Sequence, residues 1–502
     1  MPILHLNPLD NVAIAREPIP AGTTIGNITT LSEVPAGHKL ALRDVAAGEP
    51  VLKYGQLIGL ATQAIRPGEH VHTHNLAVPP AEATLSPRTA PSQKSTSSAP
   101  LALDPDSTFL GYLRPNGRVG TRNYIGILTT VNCSATIAKR IAAHFTPERL
   151  AAFPNVHAVV ALTHNTGCGM SSDSEGAEVL RRTIAGYANH PNFTAVLLLG
   201  LGCEANQISA LTPLTATANL TAATIQQEGG TKAAIARGIA DIEALLPVAN
   251  TTQRTPQPLA HLVVGLQCGG SDAWSGITAN PALGLAVDRL IAQGATAILS
   301  ETPEIFGAEH LLTSRSSPEI AAQLMARIAW WQSYAALHGN ALDNNPSPGN
   351  KAGGLTTILE KSLGAVAKAG STPLREIIEY AQPITQRGLI FMDSPGYDPV
   401  SATGQIASGA NLICFTTGRG SVFGATPVPS LKLSTTTSLY RRMTDDMDLN
   451  CGTILDGSET LKQVADRIYD AILATASGQP TKSEELGFGE EEFQPWILSA
   501  VL

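Results

Sequence analysis

Apolar and polar positions change rhythm along the chain. In the first part, short apolar stretches at 38–45, 50–54 and 57–64 alternate with turn signals such as Pro20-Ala21-Gly22, Pro35-Ala36-Gly37, Ala47-Gly48-Glu49 and Pro67-Gly68. Short runs broken at this spacing predict a small all-β unit over 1–77. From 78 to 107 the chain is rich in Pro, Ser, Ala and Thr and has no apolar period, which predicts an extended linker. Beyond it, apolar runs at 124–131, 156–163 and 194–201 alternate with helical periods at 134–145, 174–188 and 231–246. After a short connection at 250–258 the alternation restarts. Runs at 261–266, 295–300, 388–392 and 411–415 are interspersed with helices opened by Asn280-Pro281 and at about 319–337 and 356–369. Continuous apolar runs between helices predict parallel strands covered on both faces. The expected fold class is therefore α/β: a β unit, a linker, then α/β domains at 108–249 and 258–502 with mainly parallel open sheets.

Composition narrows this. The 502 residues are 43% hydrophobic and only 15% charged, which excludes a disordered chain and fits buried strands. A net charge of −8 offers no basic footprint for nucleic acid or an anionic membrane. No run approaches the ~18 apolar residues of a membrane span. The opening residues lack the basic and apolar regions of a signal peptide, so a cytoplasmic location is expected. Six cysteines without a CxxC pair argue against a disulfide framework or zinc knuckle.

Ligands of open parallel sheets bind beyond the carboxyl ends of the strands. Cys133 follows the first run, His164 and Cys168 the second, Cys203 the third, and Cys268 the first run of the last domain. Thiolates there can ligate a metal or an iron–sulfur cluster, or small Cys and Gly residues simply let the backbone approach a ligand. Other strand ends carry Glu301 and Glu304, then Glu309-His310, Asp393, and Gly418-Arg419-Gly420. Arg419 with flanking backbone N–H groups suits a carboxylate clamp; a surface salt bridge is the alternative. The loop from Asn345 through Asn350 and Lys351 to Gly354 offers groups for sugar hydroxyls and a carboxylate, or is an Ω-loop. In His70-Val71-His72-Thr73-His74, an extended strand would put three imidazoles on one face, able to hold a metal or anion; an exposed polar strand end reads the same way. Complete GxGxxG, GxxxxGK[ST] and GxSxG signatures are absent, which weakens nucleotide and α/β-hydrolase readings.

Several of these motifs together resemble the altronate/galactarate dehydratase family. Asn11-Val12-Ala13-Ile14, Gly37-His38-Lys39 and Tyr54-Gly55 are similar to its SAF-type β-clip domain. Arg118-Val119-Gly120-Thr121-Arg122-Asn123-Tyr124, Gly167-Cys168-Gly169, Gly200-Leu201-Gly202-Cys203-Glu204, Gln267-Cys268-Gly269-Gly270-Ser271-Asp272 and Phe415-Thr416-Thr417-Gly418-Arg419-Gly420 resemble the rest. The His72-Thr73-His74-Asn75 ending resembles altronate dehydratases most. The resemblance implies a hydro-lyase converting D-altronate to 2-dehydro-3-deoxy-D-gluconate, with galactarate dehydratase and sulfolactate sulfo-lyase as alternatives. A non-catalytic carbohydrate-binding protein is the alternative from another class. Iron dependence is implied: Fe2+, with Mn2+ as a substitute, or an iron–sulfur cluster. On this resemblance His72, His74, His164 and His310 are acid–base candidates, with His72 and His74 also as metal ligands. Asn280, Asn350, Lys351 and Arg419 would hold the substrate, and Cys133, Cys168, Cys203 and Cys268 the metal. Such enzymes are commonly homodimers.

Overall fold

The computed structural model describes residues 2–79, 107–217 and 219–498; most of the expected linker lies outside these. The first unit is built of short antiparallel pairings. One sheet orders Ile3–Leu4, Val12–Ala15, Lys39–Ala41 and His70–Val71, and another Pro50–Lys53, Gln56–Ala61 and Leu76–Ala77. The strand carrying the histidines ends at Val71. A turn follows, closed by Asn75, whose Oδ1 accepts from the His72 N–H at 2.9 Å. His72 and His74 therefore reach the same neighbourhood as His70 through a turn rather than through strand alternation.

The next unit is a four-stranded parallel sheet in the order Val159–Leu162, Tyr124–Thr129, Phe193–Gly200, Leu220–Thr224. All eight residues of Phe193–Gly200 are buried, as a continuous apolar run requires. The last unit has seven parallel strands, ordered Leu374–Ile378, Gly388–Met392, Thr296–Leu299, Val263–Cys268, Leu412–Thr417, Ser430–Ser434, Leu449–Asn450. Four of these strands match expected apolar runs. Leu374–Ile378, Ser430–Ser434 and Leu449–Asn450 were hidden because polar residues interrupt them; even Lys432 is buried, donating to the Phe423 carbonyl.

The expected connection at 250–258 is partly a strand. The helix Thr231–Thr251 runs through Pro247, and Arg254–Pro258 then pairs antiparallel with Thr108–Leu113. Its two prolines are tolerated because it is an edge strand. The two α/β units meet where helix Glu175–Ala188 packs on helix Asp398–Ser408, with Gly186 so close to Ala407 that a Cβ would stand 2.4 Å from its carbonyl. The β unit shares its core with the last unit: Val51, Ile58 and Val71 join Leu266, Leu283 and Leu359 in one apolar cluster.

Candidate functional site

The seven-stranded sheet has its topological switch between Val263–Cys268 and Leu412–Thr417, because chain connections leave these neighbours in opposite directions. The β unit docks beside this edge through a buried ion triad. Lys39 Nζ lies 2.8 Å and Lys53 Nζ 2.8 Å from the Glu360 carboxylate, all three fully enclosed. Thr356 adds two hydrogen bonds to Glu360, and Lys39 also donates to the Gly354 carbonyl. Such charges are stable only when every lone pair and proton is matched, which makes the docking geometry specific. Thr357 caps helix Ile358–Ala367 and donates to the Ile58 carbonyl, tying helix start to β unit.

The β unit itself gathers four imidazoles, and docking sets them against helix Pro348–Ala352. His38 and His70 share a hydrogen bond of 3.0 Å; the His38 and His72 rings stack at 4.8 Å, and His70 lies 5.5 Å from His74. His72 Nε2 is 3.0 Å from the Lys351 carbonyl. Burial, with neighbouring positive groups, pushes the pKa of His70 down to about 3 and His72 to about 4, so both are neutral bases at pH 7. The cluster is linked to the sheet edge through helix Pro348–Ala352, whose Asn350 donates to the Ser271 carbonyl at 2.8 Å.

A second, enclosed cluster lies at the carboxyl ends of Val263–Cys268 and Thr296–Leu299. Cys268, Glu301 and Glu304 present ligand atoms all within 4.8 Å of one another, the one group of three such residues among the described residues. Lys368 donates to Cys268 Sγ at 2.9 Å; Lys361 donates to Glu304 at 2.5 Å, and Asn345 to the same oxygen at 2.7 Å. Glu301 adopts a left-handed backbone, φ 72°, and neither of its buried carboxylate oxygens accepts a hydrogen bond. Lys368 approaches it only to 3.7 Å. Asp398 closes the ring, so near Gly269 that any Cβ there would stand 2.3 Å from its carboxylate.

The electrostatics suit a cation. Burial, reinforced by Glu304, raises the Glu301 pKa well above the carboxylate range, and burial raises the Cys268 thiol. Burial also opposes the Glu304 carboxylate, but Lys361 and Lys368 outweigh it and keep that group ionised. Burial and Glu304 bring Asp398 up to about 6. A divalent cation on Cys268, Glu301 and Glu304 would replace the two protons held by Cys268 and Glu301 without changing the total charge. One thiolate with two carboxylates fits a borderline transition metal better than calcium or magnesium.

The remaining expected residues divide. Lys351 is half-buried and His74 and Arg419 are exposed, so all three face accessible space. The N–H groups of Gly418 and Arg419 are taken by the Gly270 carbonyl, so these two backbone groups are not open to a ligand. Asn280 donates to the Gly364 carbonyl and accepts from Thr416, and Asn350 caps its own helix through Ser347. His164 is buried, with one ring nitrogen 3.0 Å from the Thr129 carbonyl and the other accepting from the Thr166 N–H. His310 contacts Gln56 of the β unit at 3.2 Å. Cys133, Cys168 and Cys203 are exposed at the edge of the other sheet, apart from Cys268. Sequence reasoning missed His38, Lys361, Lys368 and Asp398. The lysines carried a signal: Lys361 and the C-cap Lys368 are seven residues apart, two helical turns, on one side of a largely buried helix.

Comparison with known proteins accords with this architecture. Residues 1–79 match the family described as altronate/galactarate dehydratase SAF domain. Residues 111–250 match D-galactarate dehydratase/altronate hydrolase, second domain, and 259–501 match D-galactarate/altronate dehydratase, C-terminal. The chain is 34% identical to an altronate dehydratase of Bacillus subtilis, over 97% of each sequence. It is 37% identical to a galactarate dehydratase (L-threo-forming) of Escherichia coli, covering 96% of this chain and 94% of that one. Identity to the E. coli altronate dehydratase is 35% over 98% of both. With a β unit docked over the switch point of a parallel sheet and near-complete coverage by these relatives, the chain belongs to the altronate/galactarate dehydratase family of carbon–oxygen hydro-lyases.

Proposed function

We propose that this enzyme dehydrates a sugar acid, D-altronate, to 2-dehydro-3-deoxy-D-gluconate and water. The observation that carries the reading is the enclosed Cys268, Glu301, Glu304 group at the carboxyl edge of the seven-stranded sheet, within a chain of this family. The C2 proton beside a carboxylate is barely acidic, so its removal needs a positioned base and stabilisation of the charge that develops. A divalent cation on Cys268, Glu301 and Glu304, Fe2+ or Mn2+, would supply that Lewis acidity. Arg419 and Lys351 hold the carboxylate. His72, neutral at pH 7, accepts the C2 proton, and His74 at the mouth protonates the departing C3 hydroxyl, which leaves as water. The resulting enol ketonises to the 2-keto acid. His164 and His310 serve the frame.

The three units at 1–77, 108–249 and 258–502 act as one catalytic body, taken here as a cytoplasmic homodimer. Six unpaired cysteines support a reducing compartment, and light scattering tests the dimer. No described helix is long and apolar enough to cross a membrane. Galactarate is the second reading, favoured by the 37% identity to a galactarate dehydratase. Release of 2-keto acid from D-altronate, galactarate and sulfolactate, each with Fe2+ or Mn2+, decides. Turnover of D-altronate is expected; turnover of galactarate alone moves the assignment, and binding without turnover overturns it.

A further inference from the structure

We infer that Cys268 and Lys368 form a covalent modification site: with dioxygen they join through a single oxygen atom as a reversible N–O–S bridge. Lys368 Nζ lies 2.9 Å from Cys268 Sγ, a separation little longer than an N–O–S linkage spans. Both side chains are enclosed, Cys268 being 2% and Lys368 1% exposed. Large oxidants are kept out, whereas dioxygen is small and apolar enough to enter a protein interior. Among the described residues Cys268 is the one cysteine whose sulfur accepts a hydrogen bond from a lysine; Cys203 accepts from an amide, that of Gln226.

The surroundings of the pair suit such a bond. Cys268 ends strand Val263–Cys268 and Lys368 is the C-cap of helix Ile358–Ala367, so regular elements carry both atoms, which meet across 100 residues. Glu301 stands 3.7 Å from the same nitrogen, and neither of its buried oxygens accepts a hydrogen bond. It is placed to accept the one N–H that a bridged nitrogen keeps. Glu304 Oε2 lies 3.9 Å from the sulfur, while Oε1 of the same carboxylate is held by Lys361 and Asn345.

The step balances with dioxygen as the oxidant. Sulfur and nitrogen each give up two electrons, and dioxygen takes all four. The S–H bond and two N–H bonds of the ammonium break, and S–O and O–N bonds form. One oxygen atom becomes the bridge and the other leaves as water with two of the three protons; the third passes to the Glu304 carboxylate. Two molecules of a dithiol supply the four electrons that restore thiol, amine and water. If Cys268 is a ligand of a divalent cation, the bridge occupies its sulfur, and air switches the site off until reductant restores it. That consequence rests on the proposed metal reading; the bridge itself does not.

The test uses the full-length chain purified anaerobically with a chelator, one half then exposed to air, and both digested with trypsin without reductant. Trypsin cuts after Arg254, Arg289, Lys361 and Arg375, so the bridge joins residues 255–289 to 362–375 with Lys368 uncut. In the aerated half alone, mass spectrometry should find the combined mass of the two peptides plus one oxygen less two hydrogens. Dithiothreitol should abolish that species. Lys368→Arg should lose it and carry Cys268 on to sulfinic acid, while the buried control Cys451→Ser should keep it. The unmodified chain gives its mass whether or not the variants fold. Separate peptides after air, a linked mass without the oxygen, or Cys268 sulfinic acid beside an unlinked Lys368 in the unmodified chain would overturn the bridge. Fe2+ titration separates the two readings: binding should fall in proportion to the bridged fraction and return with dithiothreitol. Full Fe2+ binding by a bridged chain would remove Cys268 from the metal reading and leave the bridge standing.

Discussion

The two parallel sheets end in cysteines at equivalent topological positions, yet the two edges are built oppositely. At the seven-stranded edge Cys268 is enclosed with Glu301, Glu304, Lys361 and Lys368, where Lys361 pairs with Glu304 and Lys368 donates to Cys268. At the four-stranded edge Cys133, Cys168 and Cys203 stand exposed, and the buried Glu204 beside Cys203 is spent on fastening backbone. The first arrangement manages charge in a water-poor environment, as stabilising a carbanion-like intermediate requires. The second presents soft sulfur toward solvent. Position in a fold marks where chemistry can occur, while burial and partners decide which chemistry it is.

The largest effect should come from the enclosed edge. Glu301→Gln keeps the shape and removes one anionic ligand, and a loss of turnover of at least ~10²-fold is expected, with weaker Fe2+ binding by titration. Near-normal turnover in that variant would place the chemistry elsewhere. Glu360→Gln leaves Lys39 and Lys53 enclosed without their anion, a change expected to cost about 3–5 kcal/mol in denaturant unfolding. It should lower turnover too, because the histidine cluster depends on docking; the four-stranded edge should be untouched.

The pH dependence sharpens the same contrast from the other side. His164 and His190 are buried in or beside the four-stranded unit, each with one ring nitrogen at a carbonyl and the other accepting a backbone N–H. Burial lowers them to about 4 and about 3. Their unfolded pKa is near 6.5, so the contribution of the neutral rings is complete above that pH and shrinks as pH falls toward the folded values. Between pH 6.5 and 5 each should cost about 2 kcal/mol of stability. Unchanged denaturant midpoints across that range would contradict the neutral assignments. Smallest of all, Arg419→Ala should raise KM several-fold with kcat little altered, since an exposed guanidinium contributes ground-state binding.

The layout was legible wherever apolar runs were continuous and cysteines followed them. It was not legible at Ser430–Ser434, where a buried lysine breaks the run. The site was half legible. Cys268 announced itself by position, but its partners depend on contacts far along the chain, as between Cys268 and Lys368. His38 meets His70 across 32 residues, and no local pattern reports that. At Asn280 and Asn350 the motifs were legible, but the hydrogen bonds these residues make to Gly364 and Ser271 join segments distant in the chain.

The most direct test of the central claim is Fe2+ binding and turnover of D-altronate, measured side by side in the unmodified chain and in Glu301→Gln. The account predicts that Glu301→Gln loses both the bound ion and the turnover while its fold, read by circular dichroism, is kept. Normal Fe2+ binding or near-normal turnover in Glu301→Gln would contradict it.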